Sequence, residues 1–269
     1  VDPYLNVLYI SEFGLNVNAG GRLNTHSVYD NKLVYNINPS YNFKLKDNNL
    51  KLLASYSTAY ITPSLFQIYD ASFGNEDLLP EKNRTIETGL EFSNGKSMRA
   101  SVVYFNREEK NFIDFVTVNP ELFISQYQNV ADRFNSRGLE VEFSNRFGKK
   151  FQLNVNYTYT EADSKFALRI PKHKVNANLI YMPAEKTTLS LAYQFNDSRD
   201  DQFFNPDTFA SERVTLNSFG LADFYVSHQL NSQVKFMFNL ANIFDEDYQE
   251  IFGFSTRGRN LQLGLSLDF

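Results

Sequence analysis

Alternation with a period of two runs through almost the whole chain and constrains its fold more than any other feature. It is plainest in the last ten residues, NLQLGLSLDF. In an extended strand Leu261, Leu263, Leu265, Leu267 and Phe269 fall on one face, and Asn260, Gln262, Gly264, Ser266 and Asp268 on the other. Leu33, Tyr35, Ile37, Pro39, Tyr41, Phe43 and Leu45 repeat the pattern, as do Phe151, Leu153, Val155, Tyr157 and Tyr159, and Leu139, Val141 and Phe143. About thirteen strands with unlike faces follow from this periodicity. They lie near 4–12, 14–24, 33–45, 50–60, 84–94, 97–108, 123–147 (one long strand bent near Gly138), 149–161, 173–183, 187–197, 218–230, 232–244 and 258–269. No segment reads as a helix of any length.

The connections alternate as well. KDNN at 46–49, SNGK at 93–96, GKK at 148–150, PAEK at 183–186 and NS at 231–232 are tight and rich in turn residues. Between them come the long segments 61–83, 109–122, 162–172, 198–217 and 245–257. Short and long taking turns describe an up-and-down antiparallel sheet with one plain rim and one elaborate rim.

Alternation does not say which face is wet, and composition enters here. Mean hydropathy is −0.39, and no window offers the ~18–20 consecutive apolar residues a spanning helix needs. Yet the chain holds 26 Phe and 16 Tyr. The apolar runs last about 9–11 residues, enough to cross a bilayer as tilted strands. The opposite face carries Glu87, Glu91, Arg99, Glu140, Glu142 and Arg146, as a hydrated or plugged lumen requires. Tyr56, Tyr60, Tyr104, Tyr157, Tyr159, Tyr193 and Phe195 gather toward strand ends, where interfacial girdles sit. Trp is absent, and Tyr serves the same amphipathic role. The expected fold is therefore all-β, a transmembrane barrel with its apolar face outward. The competing reading is a soluble sandwich with the aromatics as its core.

Net charge is −5 with a pI near 5.3, so no basic face points to nucleic acid. Without Cys there are no disulfides, thiolate nucleophiles or thiolate metal sites. His26, His173 and His228 are isolated from one another, and His26 near Asp30, or Ser198 near Asp197 and Asp200, is too loose a grouping for catalysis. An enzyme is not expected. DEDYQE at 245–250 and DSRDDQ at 197–202 lack EF-hand spacing and read as solvated loops, so no metal or cofactor is assigned. If the last strand descends from a long loop, counting back makes the first strand descend too. An open sheet would also leave bare edges in lipid. Residues 1–269 are thus expected to be a single partial barrel domain, the C-terminal part of a larger closed barrel.

Three stretches resemble the TonB-dependent outer-membrane receptors. YSTAYITPSLFQIYDASFGNEDLLPEK (56–82) looks like that family's strand-loop segment with P-S/N-L, G-N and L-x-P-E-K. NVADRFNSRGLEVEFSN (129–145) resembles its Asn…Gly-[LV]-Glu strand, and NLANIFDEDYQEIFGFSTRGRNLQLGLSLDF (239–269) its closing N-[LI]-F-D-x-x-Y…G-R hairpin with a terminal aromatic. With the strand ladder between them these cover the chain from about residue 33 onward. The resemblance implies a barrel of about 22 strands, of which this chain supplies the last thirteen or so, with a plug domain upstream and absent here. It implies a role in the outer membrane with long loops outside and short turns and the C-terminus in the periplasm. It further implies import of a scarce nutrient, most like cobalamin (vitamin B12), with ferric siderophore or haem as alternatives. The partners implied are TonB–ExbB–ExbD acting through the plug, outer-membrane lipid, a surface lipoprotein, and the barrel assembly machinery, which would read Leu261, Leu263, Leu265, Leu267 and Phe269. A passive porin or structural barrel is the rival from another class. Aromatics in the long loops make Tyr69, Phe73, Asn75, Phe203, Phe204 and Phe209 candidates for a ligand or partner surface.

Overall fold

Residues that alternate between two unlike faces are accommodated by extended backbone, and extended backbone must pair. The computed structural model describes residues 2–119, 121–122, 124–131, 133–163, 165, 167–208 and 210–268. Its elements are β1 (Tyr4–Ile10), β2 (Leu15–Asn24), β3 (Lys32–Leu45), β4 (Asn48–Ile61), α1 (Leu65–Tyr69), β5 (Glu81–Ser93), β6 (Met98–Lys110), β7 (Phe112–Asn119), β8 (Ile124–Ala131), β9 (Phe134–Phe147), β10 (Phe151–Ala162), β11 (His173–Ala184), β12 (Thr187–Asn196), β13 (Arg199–Asn205), β14 (Ala210–Leu216), β15 (Phe219–Gln229), β16 (Val234–Ala241) and β17 (Asn260–Leu267). Thirteen of these form one antiparallel sheet, in the order β1-β2-β3-β4-β5-β6-β9-β10-β11-β12-β15-β16-β17. No pairing joins β1 to β17 among the described residues, so the wall is open at both edges. The hairpins β7–β8 and β13–β14 are separate two-stranded sheets on long connections.

One strand assignment is corrected. The segment 123–147 is two strands, and β8 leaves the wall to pair with β7. Gly138 lies inside β9, opposite Phe105 on β6 and Thr160 on β10, and permits close approach rather than a bend. A Cβ there would overlap the Tyr159 carbonyl oxygen and stand 2.6 Å from the Phe105 ring.

The faces divide as the alternation demands. Ile37, Leu52, Ile86, Leu90, Leu139, Leu191 and the whole set Leu261, Leu263, Leu265 and Leu267 are exposed. The other face is laced by polar contacts across the strands: Asn18 to Asn6 (3.0 Å), Ser55 to Asn38 (2.8 Å), Arg99 to Glu91 (2.7 Å), Ser144 to Asn154 (2.8 Å) and Ser190 to Asn178 (2.7 Å). Among the described residues the buried apolar side chains are Leu78, Phe134, Leu216, Phe219 and Ala222, far too few for a sandwich core. Accessible surface is 17638 Å², against roughly 12,000 Å² for a globular monomer of this mass. The soluble-sandwich reading fails on this: the leucines face outward, and the acids and amides face one another.

The short turns carry their own chemistry. Asn94 Oδ1 accepts the amides of Lys96, Ser97 and Met98, while Gly95 takes φ 68°. Asn231 Oδ1 accepts those of Gln233 and Val234. These side-chain turns satisfy the backbone where strands reverse. Every long connection leaves from the opposite rim.

Candidate functional site

The elaborate rim is organised as two loop clusters, and the family-like motifs supply their fastenings. In the first, Ser64 caps α1: Gln67 N donates to Ser64 Oγ (3.2 Å), and Ser64 N donates to Gln67 Oε1 (2.8 Å). That capping box turns the chain after β4. Residues 73–79 then run along β8. Tyr127 N donates to the Phe73 carbonyl (3.1 Å), and Asn75 Nδ2 donates to the Tyr127 carbonyl (2.9 Å). Asn129 holds Leu79 at both ends, accepting its amide (2.8 Å) and donating to its carbonyl (3.0 Å). It also donates to the Asn111 carbonyl (2.7 Å). Phe73 meets Phe115 edge-on (5.3 Å between centroids), and Leu78 is 1% exposed beneath. So the G-N and L-x-P-E-K residues are a clamp between loop 62–80 and the β7–β8 hairpin.

The second cluster joins 163–172, the β13–β14 hairpin and 242–259. Its centre is Asp201, fully buried. Its Oδ1 accepts Arg169 Nε (2.6 Å) and the Gln202 amide (2.8 Å), and its Oδ2 accepts the Phe252 amide (2.8 Å). Burial pushes this carboxyl up, but the amides of Phe252 and Gln202 and the Arg169 guanidinium reverse that, leaving its pKa below the usual range. Arg199 donates from Nη2 to the Gln249 carbonyl (2.7 Å) and lies 5.2 Å over the Phe219 ring. Phe203 packs on Phe252 at 4.4 Å, and Phe219 on Tyr248 at 4.5 Å. Asn242 and Asp245 both take positive φ (51° and 58°). Asn242 exchanges hydrogen bonds with Glu246 (2.9 Å each way), and Asp245 accepts the Arg259 amide at 2.7 Å. That amide is the first cause of Asp245's lowered pKa, with the Arg259 side chain next. The N-x-F-D…G-R motif is therefore a turn closure.

Below the rim, the inward face of β6, β9, β10, β11, β12 and β15 lines a cavity of about 420 Å³ walled by Arg99, Glu142, Asn156, Asn176, Gln194 and Asp223 among others. Its acids and amides suit water or a polar domain rather than a lipid tail.

Of the sequence-derived candidates, Tyr69 (60% exposed) and Phe204 (60% exposed) stand out from the surface, one in each cluster. Phe73, Asn75 and Phe203 are engaged within their clusters by the contacts above. Phe209 and Phe269 lie outside the described residues. The five described candidates fall in two clusters rather than one. Sequence reasoning missed Arg169, Arg199 and Asp201, and it read the acidic run at 197–202 as a solvated loop. The structure corrects this, since Asp201 is wholly enclosed. Only the flanking aromatics hinted at burial.

An outward apolar wall, an inward polar face and one ornate rim define the wall of a membrane β-barrel. Residues 5–243 match the family described as TonB dependent receptor-like, beta-barrel, and the chain belongs to that family. It is 26% identical over 255 residues to the vitamin B12 transporter BtuB of Vibrio cholerae, an alignment covering 93% of this chain and 39% of BtuB. Its fold is similar to the siderophore receptor PirA of Acinetobacter baumannii (TM-score 0.81, 18% identity, all of this chain and 45% of that one). The pyoverdine outer membrane receptor FpvA of Pseudomonas aeruginosa PAO1 is also similar (TM-score 0.76, 20% identity, all of this chain and 42% of that one). The chain thus spans about two-fifths of the length of the curated relatives it matches.

Proposed function

We propose that this chain is the C-terminal wall, with its extracellular loops, of an outer-membrane receptor for energised import of a large scarce nutrient, a corrinoid. The carrying observation is the division of faces: leucines outward, and a polar belt of Arg99, Glu142 and Asp223 inward. Two bare edges, β1 and β17, support a barrel of about 22 strands completed by further strands, since unpaired backbone in lipid costs several kcal/mol per group. On this reading the remaining strands and a plug precede Val1. TonB–ExbB–ExbD acts on the plug, and this portion provides the lumen wall and the loops that capture ligand. It carries out no covalent chemistry. The assembly machinery engages Leu261 to Leu267 and Phe269.

Similarity to a vitamin B12 transporter favours the corrinoid. A ferric siderophore is the second reading, favoured by structural likeness to receptors for such ligands. The test is uptake of labelled cyanocobalamin and of a labelled ferric siderophore by cells carrying the intact protein, with and without TonB. TonB-dependent uptake of cobalamin alone supports the first reading, and of siderophore alone the second. Uptake of small solutes indifferent to TonB indicates a passive pore. Tyr69→Ala with Phe204→Ala is expected to weaken ligand binding about tenfold, since exposed aromatics dominate such surfaces; unchanged affinity removes both from the ligand site.

A further inference from the structure

Charge on the outward face is not evenly spread. On the neighbouring strands β4, β5 and β6, register places Thr58, Arg84 and Glu108 in one row, with Tyr60, Lys82 and Lys110 in the row above. These positions share the face of Ile86 and Tyr104, both exposed, so they point outward rather than into the lumen. Glu108 is largely covered, and three cations converge on it: Arg84 Nη2 at 3.3 Å, Arg133 Nε at 3.2 Å and Lys110 Nζ at 3.6 Å. Their own side chains remain about half exposed, at 51%, 57% and 45%. Lys82 makes no ion pair among the described residues, and Lys32 at the start of β3 also lines the adjoining cavity. Apart from Glu108, the nearby acid is Asp30, within electrostatic reach of Tyr60.

Lys82, Arg84, Glu108 and Lys110 rim a shallow cavity of about 310 Å³ whose remaining lining includes Leu33 and the stacked pair Tyr35 and Tyr56 (5.8 Å). Farther from the rim the same face continues as Ile37, Leu52, Ile86 and Leu90. Descending the wall, a cationic band gives way to aromatic rings and then to aliphatic side chains. That sequence of layers matches one amphiphile: phosphate uppermost, then the interfacial linkage, then acyl chain. Farther round the rim Arg137 is held by two bonds to Glu161 (2.9 and 3.0 Å), so charge is neutralised there and concentrated here.

We propose that this outward patch binds the phosphate groups of an anionic glycolipid in the leaflet adjoining the long-loop rim. Guanidinium and ammonium groups anchored on one covered carboxylate are pre-organised, and each retains donors for a phosphate. The inference rests on the reading that this face looks onto lipid.

The test uses the intact protein purified in non-ionic detergent and native mass spectrometry. The probes are bis-phosphorylated lipid A, its monophosphorylated form and a neutral glycolipid with matched chains. Lys82→Gln/Arg84→Gln/Lys110→Gln is expected to lower occupancy by the bis-phosphorylated lipid about tenfold or more, with little change for the neutral lipid. Lys82→Gln/Lys110→Gln keeps the Arg84–Glu108 pair and guards against misfolding, and about a threefold loss is expected there. Equal occupancy by charged and neutral lipids, or no effect of either variant, overturns the proposal. Displacement by millimolar inorganic phosphate overturns it in favour of a soluble-anion site. If the wild type fails to insert into micelles or bilayers, the membrane reading falls first; an inserted barrel without lipid preference sinks this inference alone.

Discussion

Replacing Asp201 by alanine should loosen one half of the elaborate rim and leave the wall intact. The carboxylate is 0% exposed and serves three donors from three segments: Arg169, Gln202 and Phe252. A buried donor stripped of its acceptor costs about 1–3 kcal/mol, so the two amides together give about 2–6 kcal/mol. Arg169 is half exposed and recovers water, so its ion pair adds little. Taking about 4 kcal/mol for the cluster, local opening should become roughly a thousandfold more frequent, at 1.4 kcal/mol per decade. Hydrogen exchange read by mass spectrometry on peptides covering 163–172 and 248–254 is the assay, with β4 and β5 as internal controls. Acceleration below about threefold, or equal acceleration in the wall, would refute the argument that this carboxylate is the fastening. The pH dependence gives a second check. Asp201's pKa is depressed in the folded cluster, so its contribution is complete above the unfolded value of about 3.9 and fades as pH falls through the lower folded value. Intrinsic-rate-corrected protection at Phe252 should be flat from about pH 5 upward and drop below about pH 4 in the wild type. The alanine variant should show no such drop.

Three further outcomes are expected. Leu263→Arg puts a charge on the outward face and should cost about 2–4 kcal/mol in bilayer refolding if it lies near the midplane, while Gln262→Arg, facing inward, should cost under about 1 kcal/mol. Gly138→Ala forces a methyl group into the Tyr159 carbonyl and the Phe105 ring, so the yield of heat-modifiable folded barrel should fall severalfold. Deleting Phe269 should lower the amount of folded protein reaching the outer membrane without altering the ligand affinity of what folds; equal amounts would argue against its part in assembly.

How much of this was readable beforehand depends on who enforces the pattern. Lipid on one side and water on the other impose alternation on every wall strand, so segments such as 33–45 and 258–269 announce themselves within a residue or two. No such solvent acts on β7, β8, β13 and β14. ISQYQNVA and RDDQFFN pack against neighbouring loops, and their alternation is blurred. Chain continuity then fused β8 with β9. The motif residues were visible as a family likeness, but their work was not. That Asn75 and Asn129 hold backbone groups of distant segments follows only from the register that brings Tyr127 and Leu79 within reach. Asp201 gave no signal, because a buried acid and a surface acid are spelled alike.

The clamp between loop 62–80 and the β7–β8 hairpin bears on how such a rim can diversify. Asn75 and Asn129 each sit on one partner and grip the main chain of the other, so neither segment carries a complete set of fastenings. Transplanting one of them into a sibling scaffold would leave half a buckle on each side. A recombination that moves both together would carry its own geometry along. New ligand preferences in barrels of this design should therefore be inherited in paired loops rather than singly.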